Sequence, residues 1–177
     1  QGLDTIEERG NGLVNFVDNY RKLTRIPKPE ITSFGVEEWM EQVKMLFHDR
    51  LNREKIRFGI KTDGRQKDLT GDKKLLTQVM INILNNAIEA LTESSREEKA
   101  ISISLELSRQ NRPVIRISNN GPAIPDEVME KIFIPFFTTR EQGSGIGLSL
   151  SRQILRLHRG YIHAESTEEM TSFIITL

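Results

Sequence analysis

The sequence predicts an α+β fold, a two-layer α/β sandwich in which helices cover one face of a mixed sheet. Some stretches alternate apolar and polar residues, as half-buried strands do, and others repeat apolar residues every three or four positions, as amphipathic helices do. The two kinds of stretch are interspersed along 177 residues, a length that suits one compact domain. Hydrophobic residues make up 37% of the chain and charged residues 28%, which is typical of a globular protein.

The first predicted element is an N-terminal helix over residues 3–26. It ends at Pro27 and Pro29, which cannot continue a helix, so residues 27–30 form a predicted linker. Periodicity alone leaves two interpretations open, a helix of a bundle and an ordinary surface helix. The apolar stripe consists of Leu3, Ile6, Leu13, Phe16, Val17, Tyr20, Leu23 and Thr24.

The next elements lead into one long helix. Residues 31–34 predict a short strand, residues 36–51 a helix and residues 56–60 a half-buried strand. Asp72 is a predicted N-cap for a helix that runs to about Leu91.

The C-terminal part predicts more strands and one more helix. Residues 101–107 and 114–118 alternate on either side of a turn at 110–112, which indicates an antiparallel hairpin. A helix from about 147 to 158 and strands near 161–165 and 173–177 complete the predicted fold.

Charge and composition exclude several classes of partner. Twenty-five basic residues balance 25 acidic ones, so no nucleic-acid partner is predicted. The chain has no cysteine, which excludes disulfides and thiolate metal sites and agrees with a reducing compartment. Because no apolar run approaches the roughly 20 residues of a membrane span, this chain is not expected to bind a membrane.

The first of four chemically informative blocks lies on the Asp72 helix. Asn82, Asn86 and Glu89 lie three or four residues apart, opposite the apolar face. Asparagine is a poor helix former, and its amide oxygen is a ligand that suits Mg²⁺. This block alone leaves a magnesium-binding face and a solvated helix face equally open.

The next two blocks predict loops. Residues 119–125 have turn chemistry and, by themselves, indicate a turn that ends a strand. Residues 133–140 place three phenylalanines around Pro135, and we expect these rings to anchor a loop on the core while Arg140 offers a cation.

The fourth block, residues 143–147, contains three glycines and opens a helix. Glycines allow close backbone approach, and the free N–H groups of a helix start bind anions. A dinucleotide-binding Rossmann unit is the obvious rival. The context excludes it, because the block follows a loop late in the chain rather than an early strand.

Taken together, residues 34–177 resemble the catalytic and ATP-binding domain of bacterial sensor histidine kinases, in the superfamily of the gyrase, mismatch-repair and heat-shock chaperone ATPases. The blocks correspond in order to the N box, first glycine box, F box and second glycine box, and are most similar to the nitrogen-regulation branch. Residues 3–26 resemble the second helix of the dimerisation and histidine-phosphotransfer hairpin. The predicted domains are therefore residues 1–26 as a remnant of that hairpin, 27–30 as linker and 31–177 as the ATP-binding domain.

The resemblance implies ATP and Mg²⁺ as cofactors, with Asn86 as the metal ligand. It makes Asn82, Asn86, Glu89 and Arg140 the candidate catalytic residues, Glu89 being either a general base or a solvated or metal-side carboxylate. The implied nucleotide-binding residues are Asn82, Asn86, Asn119, Gly121, Ala123, Ile124, Phe137, Thr138, Thr139, Arg140, Gly143, Gly145, Ile146, Gly147, Leu148 and Thr171. The loop from Thr138 to Gly145 is expected to be a mobile lid.

Three positions depart from the family pattern. Asn119 stands where an aspartate usually accepts from the adenine amino group, Ala123 replaces a glycine, and Met170 stands where a glycine is usual. A neutral amide lacks the charge assistance of a carboxylate, which predicts weaker ATP binding or an altered base preference. These departures leave an alternative open, a degenerate nucleotide-sensing or scaffold module with weak or no kinase activity.

The phosphate acceptor is missing from this sequence. The family's acceptor histidine precedes the 3–26 helix, whereas His48, His158 and His163 all lie later. We expect His48 to be a structural or surface histidine, His163 to be structural and His158 to suit a helix dipole. The implied function is transfer of the ATP γ-phosphoryl group to a histidine outside this sequence, and onward to an aspartate of a response regulator.

The implied partners are the protein's own dimerisation and phosphotransfer domain, in a homodimer, and the receiver domain of a response regulator. The implied location is cytoplasmic, either free or as the cytoplasmic portion of a membrane-anchored sensor. An ATPase or protein-serine kinase of the superfamily is a further rival, against which the dimerisation-like helix argues.

Overall fold

The computed structural model describes residues 14, 17, 20, 21, 23–140 and 143–177. The helices within residues 30–177 are α1 (Val36–Leu46), α2 (His48–Arg53), α3 (Lys73–Thr92), α4 (Asp126–Met129) and α5 (Gly147–Leu157). The strands are β1 (Thr32–Gly35), β2 (Ile56–Thr62), β3 (Asp68–Gly71), β4 (Lys99–Leu107), β5 (Pro113–Asn119), β6 (Tyr161–Ser166) and β7 (Thr171–Thr176).

The strands form a five-stranded mixed sheet and a separate two-stranded ladder. The order in the large sheet is β2-β4-β5-β7-β6, with β2 and β4 parallel and the other neighbours antiparallel. The small ladder pairs β1 with β3. Because helices pack on one face of the large sheet, the predicted α+β sandwich is confirmed.

The core lies between the sheet and helices α3 and α5. Alternation along β4 turns Ile101, Ile103 and Leu105 inward, and each is at most 2% exposed. The apolar stripe of α3 meets them, with Ile83 and Leu84 fully buried. The most polar face of α3 is thereby left at the rim of the core, where the candidate site lies.

Asp72 joins three parts of the chain. Its Oδ1 accepts hydrogen bonds from the backbone N–H groups of Lys74 and Leu75, which confirms the predicted N-cap. Its Oδ2 accepts from the N–H of Glu30 in the linker at 2.9 Å. Its own N–H donates to Nε2 of His158, at the end of α5, at 2.9 Å. The linker, the start of α3 and the end of α5 therefore meet at one residue.

The hydrogen bonds around Asp72 lower its pKa and show which ring nitrogen of His158 accepts. Burial raises the pKa of Asp72, but the N–H groups of Glu30, Leu75 and Lys74 lower it more, so the pKa lies below its ordinary value of 3.8. Since a backbone N–H can only donate, Nε2 of His158 is the unprotonated nitrogen, and Nδ1 donates to the carbonyl of Ile154 at 2.8 Å. His158 therefore has a structural role beyond the predicted contact with a helix dipole.

The structure differs from the sequence prediction in two elements. The helix predicted over residues 36–51 is two helices, because Phe47 turns its backbone to φ −108° and ψ 0° while its ring is buried. Strand β3 was not predicted, since its four residues are too few to show alternation.

The N-terminal segment is described at only six positions before residue 25. Those six residues are helical; Leu23 is buried, whereas Val14 and Tyr20 are exposed. The stripe residues Leu3, Ile6, Leu13 and Phe16 lie outside the described residues. Among the helices that the structure describes, none combines the length and apolar character that crossing a bilayer requires.

Candidate functional site

A cavity of about 650 Å³ opens between α3, the ends of β5 and β7, and the loop that leads into α5. The sequence-predicted site residues on its walls are Asn82, Asn86, Glu89, Asn119, Ala123, Ile124, Phe137, Thr138, Thr139, Arg140, Gly143, Gly145, Gly147, Leu148 and Thr171. The fold therefore brings the four blocks to one place, although the first two lie far from each other and from the last two in the chain.

Two predicted residues do not line this cavity. A Cβ on Gly121 would lie 2.8 Å from Nδ2 of Asn119 and 3.4 Å from Cβ of Ala90, so this glycine lets the turn pack behind Asn119. Ile146 is 6% exposed and belongs to the core. Both residues therefore have a packing role in the structure, and their expected contact with a ligand stays a prediction.

Sequence reasoning missed several wall residues. Glu93 could have been found, because it lies four residues after Glu89 on the same helix face. The others carry no local signal, since distant elements bring them together. The additional wall residues are Asn85, Ala90, Glu93, Pro122, Pro125, Val128, Ile132, Ser144 and Phe173.

One end of the cavity, which we call the strand end, is built on the last residue of β5 and the first of β7. These residues, Asn119 and Thr171, are paired across the sheet and are 4% and 3% exposed. Within the described part of the chain, the side chain of Asn119 has no hydrogen-bond partner. No side-chain nitrogen or oxygen of the described residues is both fully buried and without a partner, so the amide of Asn119 must reach the cavity, where a ligand or water can complete its hydrogen bonds.

The neighbouring asparagine has the opposite role. Oδ1 of Asn120 accepts from the N–H of Ala100 at 2.8 Å, and its Nδ2 donates to the carbonyl of Glu98 at 2.7 Å. Asn120 therefore fixes the turn that follows β5, while Asn119 stays available to a ligand.

Hydroxyl groups tie the strand end to the next turn. The N–H of Ile124 donates to Oγ of Ser166 at 2.8 Å, and that oxygen lies 2.6 Å from Oγ1 of Thr171. Residues 122–125 are thus held against the hairpin of β6 and β7. The strand end is fixed before any ligand arrives.

The other end of the cavity, which we call the lid end, is formed by α3 and by the described parts of the following loop, residues 133–140 and 143–147. The guanidinium of Arg140 donates to the carboxylate of Glu89, and to Oδ1 and the carbonyl of Asn86 at 3.3 Å each. Its Nε lies 3.7 Å from a carboxylate oxygen of Glu93. The lid is therefore held against α3 by its single described arginine.

A second arginine approaches Glu89 from α2. Nη1 of Arg50 donates to Oδ1 of Asn85 at 2.8 Å, and Nη2 lies 3.8 Å from Glu89. Glu89 thus lies between two guanidinium groups from different elements. The adjacent amides of Asn85 and Asn86 accept from different arginines.

Asn82 connects two helices. Its Nδ2 donates to the carbonyl of Gly147 at 3.0 Å and to Oγ of Ser151 at 3.1 Å, which joins α3 to the first turn of α5. Its amide nitrogen is therefore occupied by the protein itself. This contact positions the start of α5 beside the polar face of α3.

The start of α5 depends on a glycine. Gly145 has φ +65°, and a Cβ there would lie 2.5 Å from the carbonyl carbon of Phe136, so no other residue fits. The N-cap residue Ile146 makes no side-chain capping hydrogen bond. The first turn of α5 therefore has no side-chain cap, and its residues Gly147 and Leu148 line the cavity, an arrangement typical of an anion-binding helix start.

The expectation for the three phenylalanines is only partly met. Phe133 packs against the core, beneath the guanidinium of Arg152 at 5.1 Å. Phe136 is 39% exposed with φ +65°, and Phe137 lines the cavity. Phe133 therefore anchors the loop on the core as expected, whereas Phe137 faces the cavity.

A helix-covered mixed sheet with a cavity between an amide-bearing helix face and a glycine-rich helix start defines a nucleotide-binding α/β sandwich. The profile of the family described as histidine kinase-, DNA gyrase B- and HSP90-like ATPase matches residues 71–177. The chain belongs to this family, and its nucleotide-binding character is thereby established.

Curated relatives share sequence over nearly the whole chain. The C4-dicarboxylate transport sensor protein DctB of Rhizobium meliloti is 31% identical over all of this chain and 28% of its own length. The nitrogen regulation protein NtrY of Azorhizobium caulinodans is 30% identical over 96% of this chain and 22% of its own length. The chain therefore spans less than a third of these relatives.

Solved structures agree with this assignment. A nucleotide-free catalytic domain of histidine kinase ThkA is 36% identical, with a TM-score of 0.74 over 84% of this chain and 95% of that domain. ThkA in complex with response regulator protein TrrA matches 98% of this chain and 49% of that chain, with a TM-score of 0.77 and 31% identity. The predicted resemblance is confirmed: this chain is an ATP-binding catalytic domain of the sensor histidine kinase class. The alternative, a degenerate sensing module, finds no support in these comparisons.

Proposed function

We propose that this chain binds Mg·ATP and presents it as phosphoryl donor to a histidine elsewhere in a longer protein, from which the group passes to an aspartate of a response regulator. The observation that carries the proposal is the cavity, which has an amide without a protein partner at one end and a helix start without a side-chain cap beside a cationic lid at the other. The ThkA–TrrA complex supports a response regulator as partner, because that kinase shares this fold at 31% identity.

The residues act mainly by positioning. The base would lie at the strand end against Asn119 and Thr171, which directs the phosphates toward Gly145, Gly147 and the first turn of α5. Arg140 would exchange Glu89 and Asn86 for a phosphate oxygen and so close the lid over the nucleotide. Fixed donors around the phosphates and exclusion of water are what phosphoryl transfer requires.

The residues at the lid end fit a magnesium ion that arrives with the nucleotide. Oδ1 of Asn86 is a neutral oxygen whose present hydrogen bond from Arg140 is long, at 3.3 Å, so a stronger partner can replace it. In the described part of the chain, no cluster of three or more His, Asp or Glu residues could hold a metal alone. This fits Mg²⁺, which binds through few protein oxygens plus phosphates and water, and which would supply charge neutralisation.

Glu89 and Asn82 receive more specific roles. Glu89 is paired with Arg140 and lies near Arg50, so we assign it as the charge partner that holds Arg140 before the nucleotide binds, rather than as a general base. Asn82 is assigned to the alignment of α5 with α3 through Gly147 and Ser151.

We further propose that residues 1–26 belong to a dimerisation and phosphotransfer hairpin, with 27–30 as linker and 31–177 as the ATP-binding domain. The helical residues before Arg25 and the anchoring of Glu30 on Asp72 support this division. The protein would form a homodimer through that hairpin. Because its donor is ATP, we place it in the cytoplasm, free or as part of a membrane-anchored sensor.

Reconstitution tests the proposal. The chain is mixed with a separate protein that carries an acceptor hairpin, and γ-labelled ATP is added with Mg²⁺. We expect label on the hairpin that is lost in acid, as phosphohistidine is. Acid-stable label would indicate a serine kinase, label released only as phosphate would indicate an ATPase, and absence of ATP binding in calorimetry would contradict the proposal at its first step.

A matched pair of variants tests the metal assignment. Asn86→Ala should lower the affinity for ATP with Mg²⁺ to the value measured without Mg²⁺, whereas Asn85→Ala, whose amide is occupied by Arg50, should keep the Mg²⁺ dependence. Equal loss in both variants would contradict Asn86 as the ligand.

A further inference from the structure

The strand end of the cavity offers groups that can act both as donor and as acceptor. Asn119 carries an amide oxygen that accepts and an amide nitrogen that donates, and neither has a partner in the described structure, although the residue is only 4% exposed. Beside it, Oγ1 of Thr171 shares a hydrogen bond with Ser166 in which either oxygen can be the donor. Neither side chain therefore dictates which polarity a ligand must present.

No ionised group interferes at this end. The charged side chains on the described cavity walls are Glu89, Glu93 and Arg140, and Arg140 contacts both carboxylates at the lid end. Selection at the strand end is left to neutral groups.

The amide of Asn119 is also free to turn over. No hydrogen bond fixes which of its two atoms faces which way. Nδ2 lies in the space that residue 121 leaves as a glycine, since a Cβ there would lie 2.8 Å from it. Oxygen and nitrogen are similar in size, so a half-turn of the amide exchanges donor and acceptor at little steric cost.

We propose that this site accepts 6-oxopurine nucleoside triphosphates as well as 6-aminopurine ones, with Asn119 as the residue that permits both; the proposal rests on the ATP-binding function above. Toward a 6-aminopurine, the amide oxygen accepts from the amino group and the amide nitrogen donates to ring N1. Toward a 6-oxopurine, the turned amide donates to the C6 oxygen and accepts from the protonated N1.

Inosine triphosphate is the direct probe, because it differs from ATP at C6 and N1 only. GTP adds a 2-amino group and so asks separately whether the walls near Ala123 leave room for it. Calorimetric titration with Mg·ATP and Mg·ITP should give dissociation constants within about fivefold of each other, since both purines can make the same number of hydrogen bonds.

Asn119→Asp supplies the contrast. A carboxylate has no donor for the C6 oxygen of ITP, so the preference for ATP over ITP should rise to about thirtyfold or more. Asn120→Asp is the matched control: it introduces the same charge one residue away, at an amide that serves the backbone of Ala100 and Glu98 and lies off the cavity. In Asn120→Asp, the ratio of the dissociation constants for ITP and ATP should stay near that of the unmodified chain.

The outcomes separate the two proposals. If ATP does not bind, the proposed function itself fails. If ATP binds and the unmodified chain discriminates against ITP by more than about thirtyfold, dual recognition is wrong while ATP binding stands. An unchanged ratio in Asn119→Asp, or an equal change in Asn120→Asp, removes the assignment to Asn119. The ratio in the unmodified chain decides the proposal even if Asn119→Asp does not fold.

Discussion

The two ends of the cavity are built differently. The strand end consists of the last residue of β5 and the first of β7, both almost completely buried, uncharged and tied by hydroxyl contacts to a short turn. The lid end consists of charged side chains from α3 and a loop, and these pair with one another across the opening. A ligand finds the strand end ready, whereas at the lid end it must take the place of existing ion pairs. The difference indicates that the strand end decides what binds and the lid end decides how firmly it is held.

Gly145→Ala should give the largest effect and should damage the lid end only. The left-handed backbone costs a non-glycine residue about 1–2 kcal/mol, and the Cβ contact of 2.5 Å with Phe136 would force the loop to move. We expect Mg·ATP affinity to fall about thirtyfold, while the thermal midpoint falls by only about 2–8 °C, as a cost of about 1–2 kcal/mol implies for a chain of this size. Calorimetry and thermal denaturation measure the two quantities.

Gly59→Ala is the control for that substitution, because a Cβ there meets nothing within 4 Å. Equal affinities in the two variants would contradict the requirement for glycine at the start of α5.

Arg140→Ala should come next and should distinguish ATP from adenosine. A charge-assisted hydrogen bond to phosphate is worth about 1.5–3 kcal/mol. When ATP binds, Arg140 must give up its contact with Glu89, and this cost cancels part of that gain. We therefore expect the substitution to weaken ATP binding about tenfold. Adenosine, which lacks phosphates, should bind as before. Arg116→Ala, which removes a surface pair with Glu165, should alter neither. A parallel loss for adenosine would show that the two ends are not independent.

Thr171→Val should weaken the binding of ATP and of adenosine by the same factor, which should be smaller than the effect of Arg140→Ala on ATP. Removing the hydroxyl beside Asn119 loses the contact with Ser166 and one polar group for the base, worth about 1 kcal/mol, or roughly fivefold in affinity. ATP and adenosine should lose affinity equally, in contrast with Arg140→Ala. Thr176→Val, at the far end of the same buried strand, is the control, and a similar loss there would point to strand damage instead.

Asp72→Ala should leave ligand binding nearly unchanged and lower stability alone. Losing this N-cap costs about 1 kcal/mol, and thermal denaturation measures it. The pKa of Asp72 in the folded chain lies below its ordinary value of 3.8. The ionised carboxylate therefore stabilises the fold at pH values above 3.8, and this stabilisation is lost as the pH falls through the folded pKa. Below about pH 4 the variant should therefore approach the unmodified chain in stability. A constant difference down to pH 2 would contradict the role of the carboxylate charge.

The sequence was most informative where a local pattern has one structural meaning. The N-cap at Asp72, the helix it opens and the hairpin of β4 and β5 follow from capping and alternation. The break at Phe47 could not be predicted, because neither glycine nor proline marks it and burial of the ring drives it.

In the candidate site, too, only features with a local sequence signal could be predicted. Residues of the glycine-rich and amide blocks were recognisable, because their backbone or chemical requirements are local. The contact of Arg50 with Asn85 and the multiple pairing of Arg140 could not be foreseen, since each joins residues 35 or more positions apart. Nor does any pattern reveal that Asn120 is engaged with the backbone while Asn119 is not.

The meeting of three segments at Asp72 has a practical consequence for protein engineering. Glu30, Asp72 and His158 are linked by hydrogen bonds although they lie far apart in the chain. A chimera that grafts a new input segment onto this catalytic domain should therefore place its junction before Glu30. With a later cut, the hydrogen bond to Asp72 would depend on whether the grafted backbone follows the path that residue 30 takes here, and a proline at that position would remove the donor.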